Sequence, residues 1–148
     1  MRTPPLVLIA DDNPMNLKIL ATRLVAEGYQ IVTAPDGAEA LAARAAQRPD
    51  LILLDVMMPK IDGVEVCRRL KEDPTAAFTP IILDAGADEY LTKPVSHQAL
   101  IARVRSMLRI KGLHDTVHAQ AQTRTLKGLR KPVPARNVLR VRPSAHAA

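Results

Sequence analysis

Asp11, Asp12, Asp55 and Lys93 are the residues whose types and positions could do chemistry together. Asp11 and Asp12 directly follow the apolar run Leu6-Val7-Leu8-Ile9-Ala10, and Asp55 directly follows Leu51-Ile52-Leu53-Leu54. Carboxylates gathered in one crevice repel one another, and their pKa values rise. A hard divalent cation relieves that repulsion, and oxygen ligands of this kind suit Mg²⁺. Beside such a cation one carboxylate can attack a phosphoryl group and form an acyl phosphate. The cation and an ammonium group would offset charge on the transferring oxygens. Asp55 is the preferred nucleophile, because it ends the most apolar strand with the loop Val56–Lys60 beyond it, and Lys93 is the natural ammonium.

These residues can cooperate only if a fold brings them to one edge. The first 110 residues alternate short apolar runs with helical patterns, the signature of a doubly wound parallel α/β sheet. Strands are expected at Leu6–Ala10, Ile31–Ala34, Leu51–Leu54, Pro80–Leu83 and Tyr90–Thr92. Asn13-Pro14 reads as an N-cap and first helical residue, with Gly28 closing that helix. Asp36 with Glu39 opens a second helix, and Asp62-Gly63 a third through about Glu72. Ser96 would cap a last helix with Leu100, Ile101, Val104, Met107 and Leu108 on one face. In such a sheet, ligands bind beyond the carboxyl ends of the strands, where strand order reverses. With strands in the order 2-1-3-4-5, the first and third are neighbours about 4.8 Å apart, so the three carboxylates share a crevice.

Ala10-Asp11-Asp12-Asn13, Leu53-Leu54-Asp55-Val56-Met57-Met58-Pro59, Asp62-Gly63, Gly86-Ala87-Asp88-Glu89-Tyr90 and Leu91-Thr92-Lys93-Pro94 occur in that order. Together they resemble the receiver domains of response regulators, over residues 6 to about 110. The resemblance implies a flavodoxin-like fold and Mg²⁺-dependent phosphotransfer to Asp55 from a sensor histidine kinase or phosphotransfer protein. It implies metal ligation by Asp12, Asp55 and the backbone carbonyl of Met57, with Asp11 assisting through water. Lys93 would pair with the phosphate, and Tyr90 matches the aromatic member of the family's switch. It implies a phosphoacceptor rather than an enzyme turning over an external substrate, and the single cysteine, Cys67, fits a reducing cytoplasm. The sequence looks most like receivers attached to cyclic-nucleotide-related output domains.

One stretch departs from the family. A Ser or Thr is expected at the end of the fourth strand, followed by a fourth helix. Here Ile81-Ile82-Leu83-Asp84 runs almost directly into Ala85-Gly86-Ala87-Asp88. The segment is roughly fifteen residues short, which deletes the helix that a parallel crossover requires. Counting from Pro80, the switch position falls at Ala85, which has no hydroxyl. Tyr90 therefore lacks its Ser/Thr partner. Five residue steps from Asp84 to Glu89 reach about 18 Å, barely the length of one returning strand. The expected consequence is a frayed fourth strand, pairing between two chains, or a chain missing residues that the family normally has.

The net charge of +6 divides unevenly, with 13 Lys/Arg against 14 Asp/Glu in residues 1–110 and 8 against 1 in residues 111–148. Residues 1–110 form the expected receiver domain, and residues 111–148 a helix extension with a basic tail. Pro132, Pro134 and Pro143 break any long element there, so a disordered tail is expected. Nucleic-acid binding would have to rest on that tail, which carries no aromatic residue for base stacking. His114 and His118 are four apart without a third ligand in register, which reads as a solvated helix face. The lone Cys67 lies in the rhythm Val64, Cys67, Leu70 and reads as a buried thiol. No run is long and apolar enough for a membrane span or signal peptide.

The partners expected are the kinase, a downstream protein and a second copy of the chain. The alternative reading is a degenerate receiver, without its switch, serving as a protein-interaction module. A haloacid-dehalogenase-type phosphohydrolase also uses an Asp after a strand. It wants a second acid two residues later, where this chain has Met57.

Overall fold

The computed structural model describes residues 1–84, 93–125 and 138–141, with the side chains of 93–97, 114, 117–125 and 138–141 left aside. The expected strand Tyr90–Thr92, Tyr90 itself, and the side chains of Lys93, His114 and His118 lie outside the described residues.

The elements run β1 (Leu6–Ala10), α1 (Pro14–Ala26), β2 (Gln30–Ala34), α2 (Gly37–Gln47), β3 (Leu51–Asp55), α3 (Gly63–Glu72), β4 (Ile81–Asp84), α4 (Lys93–Thr125) and β5 (Val138–Val141), with a 3₁₀ turn at Pro74–Ala76. The sheet is parallel, with β1 between β2 and β3, and β4 beyond β3. β1 and β3 are buried on both faces, as their unbroken apolar runs require. One sheet face packs Leu8, Ala10, Ile52, Leu54, Ile81 and Leu83 against α2 and α3. The other packs Val7, Ile9, Leu51, Leu53 and Ile82 against Leu20 and Leu24 of α1 and against Leu100, Val104 and Leu108 of α4.

Capping agrees with the sequence reading. The Asn13 side chain accepts from the amides of Met15 and Asn16, at 2.9 and 3.3 Å. Asp36 accepts from Glu39 N–H and Asp62 from Glu65 N–H, each at 2.8 Å. Each carboxylate satisfies an amide that has no partner inside its helix. Cys67 is buried, as its place in the apolar rhythm of α3 implies.

Two expectations need correction. α4 begins at Lys93, so Ser96 lies inside the helix and not at its cap. Residues 138–141, expected to be disordered, instead form β5 and lie parallel beside β4, pairing Ile81 with Val138 and Asp84 with Val141. The parallel neighbour of β4 thus comes from beyond α4, and a long helix is an ordinary crossover for such a pair. β4 is accordingly not frayed: Ile81, Ile82 and Leu83 are all buried.

Candidate functional site

The site is built where β1 and β3 end. Their register pairs Ala10 with Leu54, so the next residue on each strand, Asp11 and Asp55, emerges side by side. Asp12 follows Asp11 in the turn leading to α1. One carboxylate oxygen from each of Asp11, Asp12 and Asp55 lies within 4.8 Å of the others. Asp11 is buried, Asp55 half-buried and Asp12 exposed, so the cluster opens to solvent on the Asp12 side. Asp11 accepts the Asn13 amide at 2.9 Å, and Asp55 accepts the Met57 amide at 3.1 Å. These bonds aim the two carboxylates without neutralising them.

The electrostatics follow from that crowding. Burial raises the pKa of Asp11, and the charges of Asp12 and Asp84 add to the rise, against the Asn13 hydrogen bond. Asp55 is pushed up to about 7, first by burial and then by the charges of Asp11 and Asp84, against the Met57 hydrogen bond. The hydrogen bond between the two side chains acts upward on the pKa of Asp55 and downward on that of Asp11, so the two acids titrate as a pair. Near neutral pH, without a cation, the cluster therefore holds a proton that a divalent cation would displace.

The donor set suits Mg²⁺, being hard carboxylate oxygens only. Among the expected site residues, the structure brings together Asp11, Asp12 and Asp55, with Met57 adjoining through its amide. Lys93 opens α4, and its side chain and Tyr90 are not among the described groups. The residue that sequence reasoning missed is Asp84. It ends β4 in register with Asp55, and its carbonyl accepts the Val56 amide at 2.9 Å. Only the β3–β4 register could have revealed it.

A profile of the response regulator receiver domain matches residues 7–105. The response regulator PleD of Caulobacter vibrioides is 44% identical over 123 residues, which covers 74% of this chain and 27% of that protein. The alkaline phosphatase synthesis transcriptional regulatory protein PhoP of Bacillus subtilis is 40% identical over 115 residues, covering 70% of this chain and 48% of that protein. This chain thus spans half or less of either relative's length. Among solved structures, the receiver domain of Francisella response regulator 1452 superposes with a TM-score of 0.61 at 32% identity, covering 71% of this chain and 97% of that one. The N-terminal domain of a response regulator receiver protein from Methanoculleus marisnigri JR1 gives 0.55 at 32% identity, covering 69% and 94%. Among the described residues, no helix is long and apolar enough to cross a membrane.

Proposed function

This chain belongs to the response regulator receiver family, and we propose that it accepts a phosphoryl group on Asp55 from a sensor histidine kinase or phosphotransfer protein, with Mg²⁺ held by Asp11, Asp12 and Asp55. The observation that carries the proposal is the convergence of those three carboxylates within 4.8 Å at the ends of two adjacent strands. Packing alone does not explain why three acids are crowded at two strand ends, where the charge of Asp12 raises the pKa of Asp11 and the charge of Asp11 raises that of Asp55.

In this reading an Asp55 carboxylate oxygen attacks phosphorus as the bond from phosphorus to the donor breaks. The donor leaves with the bonding electrons. Bound there, Mg²⁺ would lower the proton affinity of the cluster and offset charge on the phosphoryl oxygens. Asp11 and Asp12 would supply ligands with the Met57 carbonyl, and Lys93 is the ammonium proposed to pair with the phosphoryl oxygens. The Met57 amide keeps Asp55 aimed. Residues 1–110 form the phosphoaccepting unit, and residues 111–148 a helical extension and basic tail. The setting is the cytoplasm, with a downstream protein or a second copy of the chain as the output partner. The resemblance of the sequence to receivers attached to cyclic-nucleotide-related output domains favours such an output. PhoP is named as a transcriptional regulator, so a DNA-binding output competes with it.

A second reading has one observation in its favour. β4 ends on Asp84, without the Ser or Thr expected there, so a degenerate receiver would bind partners without switching. Intact mass after treatment with acetyl phosphate and Mg²⁺ separates the two. A gain of one phosphoryl group, lost in Asp55→Asn, supports phosphoacceptance. An unchanged mass, or equal labelling of Asp55→Asn, would leave the interaction module.

A further inference from the structure

The loop between β3 and α3 is closed on a single oxygen. The carbonyl of Val56 accepts N–H bonds from Met58 and from Gly63, both at 3.1 Å. Met57 N–H donates to the Asp55 carboxylate, also at 3.1 Å. The Met57–Met58 peptide is planar and trans, so its carbonyl points opposite to the N–H that faces Val56. Closure of the loop therefore sets the direction of the Met57 carbonyl. Met58 is buried and Ile61 packs against the core, which anchors the loop at two points. Between them Lys60 is held at φ 66°, a left-handed conformation that a non-glycine residue keeps only where its surroundings impose it. At the next residue α2 closes on the loop. A Cβ atom on Gly37, the first residue of that helix, would lie 2.5 Å from the Ile61 carbonyl oxygen and 2.9 Å from Val66 Cγ2.

We propose that Gly37 is a positioning residue for the site, its bare Cα letting α2 press on the Ile61 carbonyl and hold the loop that directs Met57. The inference rests on the phosphoacceptor reading and adds to it a residue outside the acidic cluster, on a helix that contributes no acid to it. The path from Gly37 to the site is short and made of backbone. The Ile61 carbonyl belongs to the peptide before Asp62, which caps α3, and Gly63 follows with its N–H on Val56 O. Met58 shares that acceptor, so a displacement at Ile61 reaches the Met57–Met58 peptide through one oxygen. A side chain at position 37 is not accommodated by a rotamer change, because the nearest atom is a backbone carbonyl. The start of α2 resists the opposite shift, since Asp36 caps it through Glu39 N–H.

Two variants of the full chain disturb the contact in different ways: Gly37→Ala displaces the loop, and Ile61→Gly loosens it without a clash. Val104→Ala is the control, since it removes buried methyl groups on the opposite face of the sheet and lowers stability without reaching the loop. In the metal-free protein, the amide resonances of Met57 and Met58 should move in Gly37→Ala and stay in place in Val104→Ala. Mg²⁺ affinity is titrated without any phosphoryl donor, at a temperature where every variant is folded. It should fall about 10-fold or more in Gly37→Ala and Ile61→Gly, as it does for residues that orient metal ligands, and hold in Val104→Ala. Unmoved amides with wild-type affinity in Gly37→Ala would overturn the proposal and leave the phosphoacceptor reading standing. So would an equal loss of affinity in Val104→Ala, because affinity would then follow stability alone. If Gly37→Ala does not fold, Ile61→Gly decides, and wild-type affinity there overturns the proposal. A wild type that neither binds Mg²⁺ nor gains mass from acetyl phosphate would instead remove the phosphoacceptor reading, and this inference with it.

Discussion

A Cβ atom on Gly63 would lie 2.3 Å from the carbonyl oxygen of Asp55 and 2.9 Å from the Cα of Val56. The first residue of α3 is thus pressed against the backbone of Asp55, the proposed phosphoacceptor, and its own N–H donates to Val56 O at 3.1 Å. The Asp-Gly pair at 62–63 joins two roles: Asp62 caps the helix, and Gly63 lets the helix start touch the end of β3.

Replacing Gly63 with Ala therefore sets two effects against each other. Helix propensity favours Ala by about 1 kcal/mol. The contact is with backbone, which cannot rotate away, and such overpacking costs about 1–3 kcal/mol. We expect Gly63→Ala to be destabilising and to displace Asp55, lowering Mg²⁺ affinity. Gly112 within α4 supplies the contrast, since its nearest neighbour would be the flexible Met1 Cε at 3.3 Å. Gly112→Ala should stabilise by about 0.5–1 kcal/mol. Urea denaturation of both variants checks the opposite signs; equal effects would contradict the contrast.

Asp12 separates binding from stability. It is exposed, and surface substitutions generally stay within about 0.5 kcal/mol. Its carboxylate is nonetheless one of three in the cluster. Asp12→Ala should keep the wild-type melting temperature in chelator and lose at least about 10-fold in Mg²⁺ affinity, as expected when a ligand charge is removed. Isothermal titration with Mg²⁺ and a thermal melt in chelator measure the two quantities independently.

The protonation of Asp55 makes the metal-free protein pH-sensitive. Its folded pKa is about 7, above the ordinary 3.8. A group raised on folding stabilises the fold fully below its unfolded pKa, and that contribution disappears as pH rises through the folded value. In chelator, the stability of the wild type relative to Asp55→Asn should therefore fall between pH 4 and pH 7. Mg²⁺ at pH 8 should restore it, because the cation takes the place of the lost proton. Melting temperatures of both proteins across this range decide the matter. A difference that is flat with pH, or that grows as pH rises, would count against the assignment.

β5 makes the last prediction. Its backbone pairs with β4 from Ile81 to Asp84. Ending the chain at residue 137 uncovers that edge, at about 0.5–1.5 kcal/mol for each ladder bond lost. We expect a lower melting temperature, faster amide exchange in β4 and a greater tendency to self-associate through the bare edge. Unchanged exchange at Ile82 and Leu83 would show that β5 contributes nothing to the sheet.

Local chemistry makes much of this protein legible in its sequence. The unbroken apolar runs at Leu6–Ala10 and Leu51–Leu54 demand strands buried on both faces, and both are found so. Asn13, Asp36 and Asp62 cap helices because short polar side chains reach amides two or three residues ahead. The placement of Asp11, Asp12 and Asp55 at strand ends follows from where apolar runs stop, and their convergence from the strand order those runs imply.

Register and long-range pairing are decided only in three dimensions. Which residue of β4 faces Asp55 depends on hydrogen bonds between strands distant in sequence, so Asp84 carries no local signal. The strand beside β4 is equally hidden. Val138–Val141 is short, follows prolines and carries Arg140, and nothing near it in sequence marks it as part of a sheet. It takes that place because a parallel partner for β4 needs a long crossover. α4 supplies one, whereas the few residues directly after Asp84 are too short a stretch to do so.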